Sequence, residues 1–83
     1  MRKDELRSLL EAKGIGSKGI TNRIYWCSKI EEDYNINLDN ICRSEGKVKR
    51  LVEDIESNSV YKKSEKRNLI ISLTKYVDLF KGN

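Results

Sequence analysis

The stretch Ser64–Phe80, SEKRNLIISLTKYVDLF, predicts the helix around which the rest of the chain packs. Its main apolar residues share one helical stripe roughly 120° wide, namely Leu69, Ile70, Leu73, Tyr76, Val77 and Phe80. Three polar residues lie off that stripe, namely Ser72, Lys75 and Asp78. Ile71 and Leu79 are apolar and also lie off it, so we expect this helix to touch more than one neighbour.

The composition allows one small soluble domain. Of the 83 residues, 36% are charged and 37% are apolar, and proline is absent, which suits a helical fold with a single core. No apolar run approaches the roughly 18 residues that a membrane span needs, and no signal peptide opens the chain. We therefore expect one domain over residues 1–83, located in the cytoplasm and making no membrane contact.

Apolar spacing predicts three further helices and a short turn. With the last helix included, the predicted segments are 4–13, 18–34, the short turn 38–42, 45–56 and 64–81. Gly14, Asn35 and Gly82 are expected to end the first, second and last helices, because glycine and asparagine tolerate the left-handed conformation found there. The expected fold class is all-α, a compact four- to five-helix bundle.

Serines are expected to cap the helix starts, since their hydroxyl accepts a backbone hydrogen bond there. Ser17 would cap the second helix and Ser44 the helix over 45–56, while either Ser64 or Ser59 would cap the last. Gly19, in the first turn of the second helix, costs helix stability. Its missing side chain would also let a phosphate or another chain approach the backbone.

No residue pattern predicts catalysis. The chain has no histidine, which is the commonest acid or base near neutral pH. Cys27 and Cys42 lack metal-ligand spacing, and we expect two reduced, buried thiols, with a disulfide as the lesser alternative. The acidic run Glu31–Asp33 is expected to be solvated, although Glu31 intrudes on the apolar stripe of the second helix. We expect no catalytic residue, no metal site and no cofactor.

Positive charge gathers in the last third of the chain. The whole sequence carries a net charge of +4, and residues 59–83 account for it with six Lys or Arg against two Asp or Glu. The run Lys62–Arg67 is the most basic, and an excess of this kind favours an anionic partner. Elsewhere, Lys47, Lys49 and Arg50 precede three acidic residues, which predicts a mixed-charge helix surface with pairs three and four residues apart.

Aromatic side chains offer a second route to nucleic acid, because bases stack on them. Trp26 and Tyr34 lie beside an apolar stripe, and we expect both to belong to the core. Tyr25 points elsewhere on the second helix and is the better candidate for an exposed contact.

Five stretches of the chain together resemble a known helical domain. They are Leu6–Leu10 with Lys13-Gly14, Gly16–Tyr25, Asn37–Ile41, Lys66–Leu69 and Leu73–Phe80. The set is similar to the SAM-like core-binding domain at the N-terminus of phage integrases and other tyrosine recombinases. Related helical domains also occur beside bacterial restriction-type nucleases.

The resemblance implies DNA binding by the basic starts of two helices. The matching positions of the second helix are Ser17, Lys18, Thr21 and Arg23, and those of the last helix are Lys63, Ser64, Lys66 and Arg67; Lys62 joins them through the basic run. The spacing from Ser17 to Thr21 is one residue longer than the family's usual Ser-x-x-Thr opening. The recombinase catalytic residues have no counterpart, so the resemblance excludes strand exchange by this chain alone.

Two functions are therefore expected. The first is a non-enzymatic module that binds DNA, double-stranded by expectation, and that would position a catalytic domain if the chain belongs to a longer parent. The alternative is a small stand-alone protein-binding adaptor or inhibitor, for example one encoded by a phage, that acts on a nucleic-acid enzyme. In that case Ile71, Leu79 and the acidic Glu31–Asp33 would carry the interaction.

Overall fold

A computed structural model describes residues 1–81, which form five helices and no strand. The helices are α1 (Lys3–Ala12), α2 (Ser17–Tyr34), α3 (Leu38–Ile41), α4 (Glu45–Ser57) and α5 (Lys63–Phe80). The expected all-α fold is confirmed, and each boundary lies within one residue of its predicted position. Gly82, expected to end the last helix, lies outside the described residues. No helix in residues 1–81 is long and apolar enough to cross a membrane.

The predicted ends of α1 and α2 are confirmed by their backbone geometry. Gly14 has a φ of +80°, and its N–H donates to the Glu11 carbonyl while the Ile15 N–H donates to the Leu10 carbonyl. This pair of hydrogen bonds is the Schellman motif. Asn35 ends α2 with a φ of 51° in the left-handed region, as expected for asparagine.

Helix starts follow the sequence less closely. Ser44 caps α4 as predicted, since its Oγ accepts from the Lys47 N–H at 3.4 Å. The prediction for Ser17 is wrong: Gly16 is the capping residue of α2 and Ser17 is its first helical residue. The predictions of Ser64 and Ser59 as caps are also wrong, because Lys62 stands at that position of α5.

The last helix packs mainly on three neighbours, α1, α2 and α4, so the expectation of more than one neighbour is confirmed. Leu69, Leu73 and Tyr76 are fully buried. Ser72 is also fully buried, although its sequence position placed it off the apolar stripe. It lies against α2, where the Cys27 thiol donates to the Ser72 carbonyl oxygen at 3.4 Å, so the second neighbour widens the buried face of α5.

Helices α2 and α5 run antiparallel. The Cys27–Ser72 hydrogen bond joins their middles, and the Tyr61 hydroxyl, just before α5, reaches Asp33 near the end of α2. At the other end of the pair, Lys13 before α2 lies 3.3 Å from Asp78 near the end of α5. The start of each helix therefore lies beside the end of the other.

Buried polar groups hold the short elements on this pair. The Tyr76 hydroxyl donates to Asp39 of α3 and accepts from the Arg2 N–H at 2.8 Å. Glu31, whose place on an apolar stripe was unexplained by sequence, accepts from the Leu38 N–H at 3.0 Å. Its carboxylate thus fixes the start of α3.

The remaining predictions for core residues hold in part. Both cysteines are free and buried, as expected. Trp26 and Tyr34 are half-buried and pack against the core, while Tyr25 is 57% exposed. The side-chain pairs expected along α4 are not formed: within residues 1–81, Lys47, Lys49 and Arg50 have no carboxylate within 4 Å. Such pairs add only about 0.3–0.5 kcal/mol each, too little to hold two solvated side chains together.

Candidate nucleic-acid interface

The start of α5 is anchored to the end of α2 by a buried tyrosine. The Tyr61 hydroxyl donates to Asp33 Oδ2 at 2.6 Å, and Lys29 Nζ lies 3.2 Å from the same oxygen. The Tyr61 hydrogen bond, more than Lys29, lowers the pKa of Asp33, while Asp33 raises the pKa of Lys29. Lys29 and Asp33 neutralise each other, and the Tyr61 hydrogen bond to Asp33 holds the start of α5 in position.

A carboxylate occupies the N-terminus of α5. The Lys62 N–H, which has no partner within the helix, donates to Glu65 Oε1 at 2.9 Å. This backbone N–H is therefore not available to a ligand. A carboxylate here is stabilised by the helix dipole. A phosphate approaching this end would therefore meet lysine and arginine side chains first.

Three cations at the start of α5 are exposed and have no ion-pair partner. Within residues 1–81, no carboxylate lies within 4 Å of the side-chain nitrogens of Lys62, Lys63 or Arg67. They border one open surface groove whose other lining residues are Ser64, Asn68 and Ile71. Lys63 and Arg67 lie four residues apart and therefore on one face of the helix. We call Lys62, Lys63 and Arg67 the α5 basic patch.

Lys66, predicted as a DNA contact, is engaged elsewhere. Its side chain is half-buried, and its Nζ donates to the Glu56 carbonyl oxygen at 2.7 Å. That oxygen lies in the last turn of α4, where carbonyl groups lack helical partners. The Lys66 ammonium thus joins the end of α4 to the start of α5.

At the start of α2, one cation is exposed. Ser17, Lys18 and Thr21 are all exposed, and the Thr21 hydroxyl donates to the Ser17 carbonyl oxygen at 3.0 Å. Lys18 has no ion-pair partner among the described residues. A Cβ on Gly19 would lie 2.9 Å from Ile15 Cγ2. The missing side chain therefore makes room for Ile15, which corrects the expectation of an open approach for a phosphate.

Arg23, the fourth residue predicted on α2, is turned partly inward. Its side chain is half-buried, and its Nη1 is shielded from solvent with no hydrogen-bond partner among residues 1–81. It lies one helical turn from Cys27, whose pKa is raised to about 12, chiefly by burial, with Arg23 acting in the opposite direction. Arg23 is therefore less accessible to DNA than Lys18.

The two predicted groups of residues do not form one compact patch. At about 1.5 Å per residue, Ser17 lies about 15 Å before Cys27, and Lys63 lies about 13 Å before Ser72. Because Cys27 and Ser72 are hydrogen-bonded in an antiparallel pair, the two helix starts are about 28 Å apart along the helix axes. Sequence alone did not show this separation, because it does not specify the relative direction of α2 and α5.

Several of the features assigned to a protein partner are engaged within the fold, although Glu32 and Asp33 are exposed. Leu79 packs against the core, and Glu31 fixes the start of α3. Asp33 is bound by Tyr61 and Lys29. Of the two apolar positions assigned to the partner, Ile71 is the exposed one, at 37%, and it lies in the groove of the α5 basic patch.

The described residues hold no group of three His, Cys, Asp or Glu side chains that could bind a metal ion. Tyr25 packs edge-on against Trp26, with ring centroids 5.1 Å apart, and is the exposed aromatic of α2. Site assignment therefore depends on the exposed cations.

No family model, curated protein or solved structure matches the chain.

Proposed function

We propose that this chain is a non-enzymatic DNA-binding module that contacts phosphates through the α5 basic patch. The observation that supports the proposal is the exposure of Lys62, Lys63 and Arg67 on one helix start, where their side chains form no ion pair within residues 1–81. Cations of this kind displace condensed counterions from DNA, which is the main source of sequence-independent affinity. The resemblance to the integrase core-binding domain implies the same helix start.

Lys18 is the proposed second contact, on a separate stretch of the same DNA. The two contacts would be about 28 Å apart, close to the 34 Å of one duplex turn. We expect double-stranded DNA because a duplex holds its phosphates at fixed spacing and can meet two separated contacts at once. Single-strand binders instead present several aromatic rings, whereas Tyr25 is the exposed ring of α2.

In this proposal Lys66 and Arg23 make contacts within the protein and do not bind DNA. It also keeps two expectations from the sequence: a catalytic domain positioned by this module if the parent chain is longer, and a cytoplasmic location. The two free, buried thiols are in keeping with a reducing compartment.

The test compares two double variants with the same change of charge. Lys63→Glu with Arg67→Glu alters the α5 basic patch, and Lys47→Glu with Arg50→Glu alters exposed cations of α4. Fluorescence anisotropy of a labelled duplex and a labelled single strand is measured across a salt series. Because each lost phosphate contact lowers the salt slope by about 0.9, we expect the first variant to lose about two units of slope.

Three outcomes decide the proposal. Steep salt dependence that is reduced in the Lys63/Arg67 variant and retained in the Lys47/Arg50 variant supports it. Equal losses in both variants would show that net charge alone matters, and the site would be wrong. Flat titrations of the unchanged chain with both DNA forms, at low and near-physiological salt, would refute DNA binding.

A further inference from the structure

A groove separate from the α5 basic patch lies between α4 and the end of α5. Its lining comes from the segment between α3 and α4, from α4 and from α5: Cys42, Arg43, Glu45, Val48, Lys49, Val77, Phe80 and Lys81. Its volume is about 350 Å³, at the small end of the roughly 300–1,000 Å³ of ligand pockets. We call it the α4–α5 groove.

The floor of the α4–α5 groove is apolar. Val48, Val77 and Phe80 pack against the core but are only half-buried, so each keeps part of its side chain open to solvent. Cys42 adds a thiol that is 9% exposed. Covering such a floor with apolar side chains is favourable by about 25 cal/mol per Å² of surface removed from water.

The rim of the groove carries more positive than negative charge. Arg43, Lys49 and Lys81 are exposed, and within residues 1–81 no carboxylate lies within 4 Å of them. Glu45 is the one acidic lining residue. The rim therefore attracts carboxylates, whereas the floor prefers apolar groups.

We propose that the α4–α5 groove docks an acidic, amphipathic peptide segment of a partner protein, with one or two apolar side chains on Val48, Val77 and Phe80 and with Asp or Glu side chains facing Arg43, Lys49 and Lys81. Apolar burial would supply affinity, while the complementary charges would set orientation and speed association. A nucleic-acid backbone matches the rim but leaves the floor uncovered. The proposal is independent of the DNA-binding function.

A selection from random peptides on the full 83-residue chain tests this groove. Displayed peptides of about 12 residues span roughly three helical turns. We expect the selected sequences to place Asp and Glu around Leu, Ile or Phe. Synthetic copies should shift the amide NMR signals of Val48, Val77 and Phe80.

Charge-reversal variants then decide the outcome. Arg43→Glu with Lys49→Glu should weaken a selected peptide by about tenfold or more. Lys47→Glu with Arg50→Glu, the matched control, lies outside the groove and should change its affinity less than about twofold. Both variants alter exposed side chains, and their folding is checked by urea unfolding.

Several results would overturn the proposal. These are the recovery of no peptide, the selection of basic or neutral peptides, and equal affinity of the selected peptides for both variants. A loss of duplex affinity in the Arg43/Lys49 variant as large as in the Lys63/Arg67 variant would also overturn it, because the groove would then be a phosphate contact.

Discussion

Two tyrosines use the same chemistry in regions of different charge balance. The Tyr61 hydroxyl, just before α5, donates to Asp33 of α2, and the Tyr76 hydroxyl, on α5, donates to Asp39 of α3. Beside Tyr76, Arg2 lies 3.6 Å from Asp39. Beside Tyr61, Lys29 pairs with Asp33 in a similar way.

The two regions differ in how much positive charge is left without an ion-pair partner. Around Tyr76, Arg2 lies beside Asp39, and Lys13 and Asp78 also pair at 3.3 Å, so each of these two cations has a carboxylate partner. Near Tyr61, the side-chain nitrogens of the α5 basic patch have no carboxylate within 4 Å among the described residues. Charged side chains that pair with one another serve folding, whereas unpaired, exposed charge is available to a partner.

The largest effect in this comparison is expected from Tyr76→Phe. The change removes the hydroxyl that accepts from the Arg2 N–H and donates to Asp39, which leaves the Arg2 N–H unpaired in a part-buried site and Asp39 with only the Arg2 side chain beside it. We expect a loss of about 2 kcal/mol in the free energy of unfolding, measured by urea denaturation. Duplex affinity should not change. A stability loss below about 0.5 kcal/mol, or weaker DNA binding, would contradict this division between the Tyr76 region and the α5 basic patch.

Tyr61→Phe should have a smaller, pH-dependent effect. The hydrogen bond to Asp33 is partly exposed, so its loss should cost about 1 kcal/mol near neutral pH. The folded protein has a lowered Asp33 pKa. The stabilisation is therefore present above the unfolded pKa of about 3.9 and is lost as pH falls through the folded value. The loss of unfolding free energy caused by Tyr61→Phe should be smaller below about pH 4 than at neutral pH, as measured by urea unfolding. An equal loss at both pH values would show that the acceptor is not the ionised Asp33 carboxylate.

The smallest stability effect is expected from Lys66→Met. Its ammonium donates to the Glu56 carbonyl oxygen, and losing this exposed hydrogen bond should cost about 0.5 kcal/mol. The salt slope for duplex binding should stay within error of the unchanged chain, whereas Lys63→Met should lower it by about 0.9. Equal salt slopes for the two variants would show that Lys66 contacts DNA as Lys63 does.

Local features of this fold were predictable because they depend on neighbouring residues. Gly14 needs a positive φ, and Ser44 precedes a helix with the cleanest apolar period in the chain. The cap of α5 was missed because Glu65 binds the Lys62 N–H, which places the helix start before Ser64.

Features that depend on the arrangement of helices were not predictable. Ser72 is buried because α5 contacts α2 as well as its other neighbours. The candidate site divides in two because α2 and α5 run antiparallel, and periodicity carries no information on direction. Likewise, no local pattern distinguishes Lys66, which is bound to α4, from the exposed Lys63.

The contact between Arg2 and α5 has a consequence for the order of folding. The Arg2 N–H lies 2.8 Å from the Tyr76 hydroxyl, and the Arg2 guanidinium lies 5.0 Å from the centre of the Phe80 ring. Contacts between residues so far apart in sequence require closure of a long loop and tend to slow folding. During synthesis, α1 would leave the ribosome before α5, so these contacts could form only after the last helix had been made. Pulse-labelled hydrogen exchange should therefore find the Arg2 amide among the last to gain protection.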